Sequence, residues 1–164
     1  MRIAIPHLAA CSLLTALAAG PGTLGVEWLE ASAGEPSADG QVTWYDVLDL
    51  GLEGRGWPAT ETKSPFDRLP AAAEGKVPGP VWNLSLNSAG MSVRFVTDAT
   101  ALHAHWVLRS PTLAMNHMPA TGVSGLDLYV RTPDQGWRWV AVGRPDTTDC
   151  TARLVGGMPA GERE

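Results

Sequence analysis

The stretch Ser124-Gly-Leu-Asp-Leu-Tyr-Val-Arg-Thr-Pro-Asp-Gln-Gly-Trp-Arg-Trp-Val-Ala-Val-Gly143 decides how this chain is read. Leu126, Leu128 and Val130 alternate with Asp127, Tyr129 and Arg131, the period of a strand with two unlike faces. Trp137-Arg-Trp-Val-Ala-Val142 repeats the pattern after Pro133-Asp-Gln-Gly136, so the two segments predict an antiparallel hairpin. A four-residue loop, 133–136, would set Arg131 against Arg138, a like-charge pair. A five-residue loop, 132–136, sets Arg131 against Trp137 and Tyr129 against Trp139. It also sets Leu128 against Val140, Asp127 against Ala141 and Leu126 against Val142. Aromatic pairing and a cation–π contact favour this second register. One face is then aliphatic and the other aromatic.

Working outward, Val42–Leu52, 91–98 and 100–109 also read as strands, and Val81-Trp-Asn-Leu-Ser-Leu-Asn-Ser88 reads as another. Within 100–109, Leu102, Ala104, Trp106 and Leu108 share one face, with His103, His105, Val107 and Arg109 on the other. Residues 58–80, punctuated by Pro58, Pro65, Pro70, Pro78 and Pro80, read as a long ordered loop. Residues 112–118 fit strand or helix equally. Short strands, 18 Gly, 13 Pro and seven Trp predict an all-β protein, an antiparallel β-sandwich of jelly-roll type.

Composition limits the function. The 164 residues are 45% hydrophobic and 18% charged, enough for a folded core. A formal charge of -5 offers no basic surface to a phosphate backbone, which argues against nucleic acid as a partner. At the start, Arg2 precedes an apolar run from Ile3 to Ala19 with Ala16-Leu17-Ala18 as a small-x-small site. Residues 1–19 therefore read as a signal peptide, which implies a periplasmic or extracellular protein. Residues 20–41 read as a disordered linker, and 42–164 as the folded domain. Pro6, His7 and the small residues make the run a poor membrane span. Leu8-Ala-Ala-Cys11 resembles a lipoprotein box, but Cys11 sits inside the apolar run rather than at its end, which weighs against lipid anchoring. Without Cys11, Cys150 has no disulfide partner; its segment, Asp146-Thr-Thr-Asp-Cys150, reads as loop.

Candidate chemistry is sparse. His103 and His105 are spaced to chelate zinc or copper, but a third ligand, from His117 or Asp127, would have to be brought in; histidines on a polar strand face are the simpler reading, and no metal is assigned. Neither Ser88 nor Ser124 sits in a nucleophile elbow, so no catalytic residue is assigned. Asp127 reads as a structural tie rather than a general acid, with Arg68 of Phe66-Asp-Arg-Leu-Pro70 as its expected partner. Trp57, Trp82 and Trp137 are the candidates for stacking on sugar rings; Trp57 and Trp82 are expected in the core. Asn83-Leu-Ser85 matches a glycosylation sequon but is expected inside a strand.

Gly125, Asp127, Leu128 and Tyr129 resemble the signature of the GxDLY family, the N-terminal domain of bacterial SGNH (GDSL-type) hydrolases. Blocks 66–74, 81–99, 115–129 and 136–145 are similar to the family's pattern in the same order. The resemblance implies a β-sandwich in front of an α/β domain that carries a Ser/Asp/His site for ester hydrolysis. It implies no cofactor, and a hydrolase domain as partner. The chain runs out at Gly156-Gly-Met-Pro-Ala-Gly-Glu-Arg-Glu164 with no Gly-Asp-Ser-like block and no late Asp-x-x-His pair, so a truncated accessory domain is expected and no catalytic position is transferred. A stand-alone secreted carbohydrate-binding module using the tryptophans is the rival reading.

Overall fold

The computed structural model describes residues 1–6, 13–16, 26–29 and 34–164, with side chains described for 1–6 and 34–164. Cys11 and the Leu17-Ala18 part of the expected cleavage site lie outside the described residues. Among the described residues the chain is mostly antiparallel β-structure with two short α-helices and one 3-10 turn, and it divides into two compact units, 1–51 with 94–164, and 52–93.

The larger unit is organised by β9 (Ala101–Val107), where Leu102, Ala104 and Trp106 are buried and His103 and His105 half-buried. That is the alternation expected for one covered face. β12 (Asp149–Gly156) pairs with one edge of β9 and β1 (Arg2–Pro6) with the other; β5 (Val42–Asp46) and β4 (Glu35–Pro36) complete the sheet beyond β1. β1 is therefore central. Ile3, Ala4 and Ile5 are all buried, as a strand covered on both faces requires. The residues read as a signal peptide thus supply a core strand. β4 and β3 (Val26–Leu29) lie inside the stretch expected to be a disordered linker. Pairing overturns that expectation there, because β4 bonds β5 and β3 bonds β2 (Leu13–Ala16). β2 also pairs with β8 (Phe95–Val96), giving a separate three-stranded sheet.

The predicted hairpin forms from β10 (Leu126–Thr132) and β11 (Gly136–Gly143). Arg131 faces Trp137 and Tyr129 faces Trp139, as the five-residue loop required. Thr132 and Gly136 also pair, so only 133–135 form the turn, with Gly136 at φ 68. A left-handed residue closing a three-residue loop is a standard hairpin solution and glycine is suited to it. Below Tyr129 the expected register fails. A bulge between Leu128 and Tyr129 skips Val140, so Leu128 faces Ala141, Asp127 faces Val142 and Leu126 faces Gly143.

Two further expectations are corrected. Of Asp146–Cys150, read as loop, residues 146–148 are a bend, but Asp149 and Cys150 open the strand Asp149–Gly156, where Cys150 is buried with its thiol donating to the Thr147 carbonyl at 3.0 Å. Residues 112–118 form neither strand nor helix but a turn bridged at Met115 and Met118, before α2 (Ala120–Ser124).

The smaller unit opens and closes on β6 (Leu52–Glu53) paired with β7 (Ser92–Val93). The strand expected over 91–98 is thus split, β7 serving one unit and β8 the other. The strand expected over 81–88 is instead α1 (Gly79–Ser85). Pro80 in its first turn fixes φ where no backbone donor is needed, and Val81 and Leu84 remain exposed. Arg68 holds the end of α1: its backbone N–H donates to Ser85 O at 2.8 Å and its guanidinium to Leu84 O at 2.6 Å.

Candidate functional site

The Gly-Leu-Asp-Leu-Tyr segment is where sequence and packing meet. A Cβ on Gly125 would lie 2.4 Å from Thr121 O and 3.0 Å from Gly143 O, so the last turn of α2 can meet β11 only through glycine. Leu126, next along, packs with Leu108, Ala152 and Leu154 against the buried Ala104, Trp106 and Cys150. The Trp106 indole N–H donates to Ser124 O at 3.2 Å, which ties the start of the hairpin to the main sheet. One side of β10 is thereby committed to the core.

Its other side is not. Asp127, Tyr129 and Arg131 are exposed, as are Trp137 and Trp139 on β11. Trp139 is 56% exposed, Tyr129 49% and Trp137 46%. Asp127 is tied, but to Trp139 and not to Arg68: the indole N–H donates to Asp127 Oδ1 at 3.0 Å. The tie sits on the outer face, so it fixes the orientation of an exposed ring rather than closing a core. Arg131 is held as well, its guanidinium 3.0 Å from Glu164 Oε2 and its backbone N–H donating to Glu164 O at 2.8 Å. Arg94 lies 3.9 Å from the other Glu164 carboxylate oxygen. The partner of Asp127 was within reach of the sequence, since Trp139 is the diagonal neighbour of Asp127 in the expected register. Glu164 carried no such signal.

The histidines are arranged for packing. His105 Nε2 lies 2.7 Å from Asp149 Oδ1, and the Trp44 ring meets His105 edge-on with centroids 6.1 Å apart. His103 faces Arg153 across β9 and β12; burial first, and then that guanidinium, hold its pKa below the ordinary imidazole value. His117 is exposed in the 112–118 turn. Among the described residues no group of three or more His, Cys, Asp or Glu side chains could hold a metal ion. Serine hydroxyls are engaged locally: Ser37 with Asp39, Ser64 with the Phe66 N–H, Ser85 with Trp82 O and Ser110 with the Thr112 N–H. His105 and Asp149 form a histidine–carboxylate pair, and none of these four serines is bonded to it.

Of the proposed sugar-stacking residues, Trp57 and Trp82 are not in the core. Trp57 is 43% exposed; Trp82 is half-buried, with Lys63 Nζ 5.7 Å from its ring centroid and Lys63 also paired with Glu74. Both lie in the smaller unit and Trp137 in the larger. Asn83 of the sequon is exposed on α1, not enclosed in a strand.

In comparison with known proteins the chain matches the family described as GxDLY, N-terminus of Esterase_SGNH_hydro-type, whose model covers residues 42–164. No curated protein and no solved structure matches the chain.

Proposed function

We propose a non-catalytic supporting role, because the chain belongs to the GxDLY family, the N-terminal part of SGNH-type esterases. The match over residues 42–164 carries this reading. The family's signature supports it: Gly125 is a close-packing position, Leu126 a core residue and Asp127 a hydrogen-bond acceptor for an indole. None stands in a constellation for ester cleavage, which needs a serine hydroxyl bonded to its base. In this reading the Ser/Asp/His site belongs to an esterase part, the sheets adopt a jelly-roll sandwich, and the domain shapes the approach to that site for an acetylated carbohydrate. Export follows from Arg2 and the apolar run to Ala19, with the mature protein periplasmic or extracellular. Among the described residues no helix is long and apolar enough to cross a membrane.

The test is the kcat/KM of the whole gene product for p-nitrophenyl acetate, measured with and without residues 42–164. Loss of efficiency on removal is expected; an unchanged value contradicts a supporting role. A second reading, a carbohydrate-binding module, is favoured by the exposed rings of Trp57 and Trp137. Fluorescence titration with xylohexaose, quenched in the native protein and silent in Trp137→Ala, would establish it.

A further inference from the structure

We propose that the outer face of the β10–β11 hairpin is the surface on which the esterase part docks. The inference rests on the reading above and adds the location of the contact. Tyr129, Trp137 and Trp139 form one exposed aromatic strip in cross-strand register, with Arg131 opposite Trp137. Aromatic residues and arginine at the centre of an apolar patch are what protein interfaces concentrate, and a strip of this kind on a folded surface calls for a cover.

Two features prepare the strip for a protein partner. Trp139 is held by Asp127 and Arg131 by Glu164, so two long side chains are ordered before anything docks. The ordering cost at association falls accordingly. The second feature is a fixed edge beside Arg131. Backbone bonding of Glu164 O to the Arg131 N–H places residue 164 at the edge of β10, at the register position of Trp137. Arg163 anchors the approach, exchanging backbone hydrogen bonds with Thr97 at 2.9 Å and donating through its guanidinium to Ala99 O at 2.9 Å. In the family the esterase part lies C-terminal to this domain. An esterase part is therefore tethered to this domain, and a tethered partner meets its exposed strip at high effective concentration.

The experiment compares tryptophan oxidation by N-bromosuccinimide, mapped by peptide mass spectrometry, in the whole gene product and in residues 1–164. Loss of oxidation at Trp137 and Trp139 in the whole product is expected. A Trp137→Ser, Trp139→Ser variant should keep the far-UV circular dichroism of 1–164 yet make the whole product easier to cleave between this domain and the esterase part. Equal oxidation in a product that does carry an esterase part overturns the docking surface and leaves the supporting role standing. A gene product with no esterase part overturns both. Protection of 1–164 by added xylohexaose assigns the strip to sugar, and protection that grows with protein concentration assigns it to a second copy; either result also overturns the proposal.

Discussion

Trp106 and Trp139 occupy strands of the same unit and have opposite fates. Trp106 is 3% exposed and Trp139 56% exposed, yet each donates its indole N–H to an oxygen of the α2–β10 segment. Trp106 binds a backbone carbonyl at Ser124 and sits among Leu108, Leu126, Ala152 and Leu154. Trp139 binds a carboxylate and has a free face. A hydrogen-bonded indole is thus no sign of burial. The neighbouring strands differ: β9 is flanked by β1 and β12, whereas among the described residues β11 pairs with β10 alone. The inner region is buried, and the outer one leaves its rings exposed.

The strongest way to break this comparison is to remove β1. Loss of Ile3 and Ile5 from the sheet centre should cost about 3–6 kcal/mol, at ~1.5–3 kcal/mol for each buried side chain. Residues 20–164 should therefore melt far below 1–164 in a thermal scan; equal melting would mean that β5 and β9 close the gap unaided. This also bears on export, since cleavage at Ala19 would remove β1. Trp106→Ala should cost about 3–5 kcal/mol. Its counterpart Trp139→Ala should cost less than ~1 kcal/mol, as a surface change does. Urea denaturation of the two variants measures the gap between the regions directly.

Gly125→Val falls between them. The 2.4 Å approach of Thr121 O admits no Cβ without movement of α2 against the hairpin, and overpacking of this kind costs about 1–3 kcal/mol. The smallest effect is electrostatic. His103 has a folded pKa below its unfolded value of 6.5, so the unfolded state binds more protons as pH falls. Stability contributed by neutral His103 is complete above 6.5 and lost as pH drops through and below that value. Melting temperatures of the native chain should thus fall faster than those of His103→Gln between about pH 7 and 5. Parallel curves would show that His103 is solvated as in the unfolded chain.

Much of the hairpin was legible because period and charge agree. Like-charge avoidance at Arg131 and Arg138 selected the register above Tyr129, and alternation identified the buried face of β9. The bulge at Val140 was not legible, since a one-residue shift in pairing leaves no mark in local periodicity. Val81–Ser88 misled in the other direction: its alternation is strand-like, but with no partner strand Pro78-Gly-Pro80 directs a helix. Cys150, Ala152 and Leu154 alternate too, and the Gly- and Thr-rich flanks of β12 masked them. The face-fixing bond from Trp139 to Asp127 was one diagonal away from the pairing that was read. The clamp on Arg131 by Glu164 depends on where the last residues return, which tertiary packing alone determines.

The central claim, that the signature supports an esterase without performing its chemistry, is tested most directly on residues 1–164 alone. Incubation with p-nitrophenyl acetate and a fluorophosphonate probe should give hydrolysis at the buffer rate and no labelled serine. Turnover above that rate, abolished in step with covalent labelling of one serine, would contradict it.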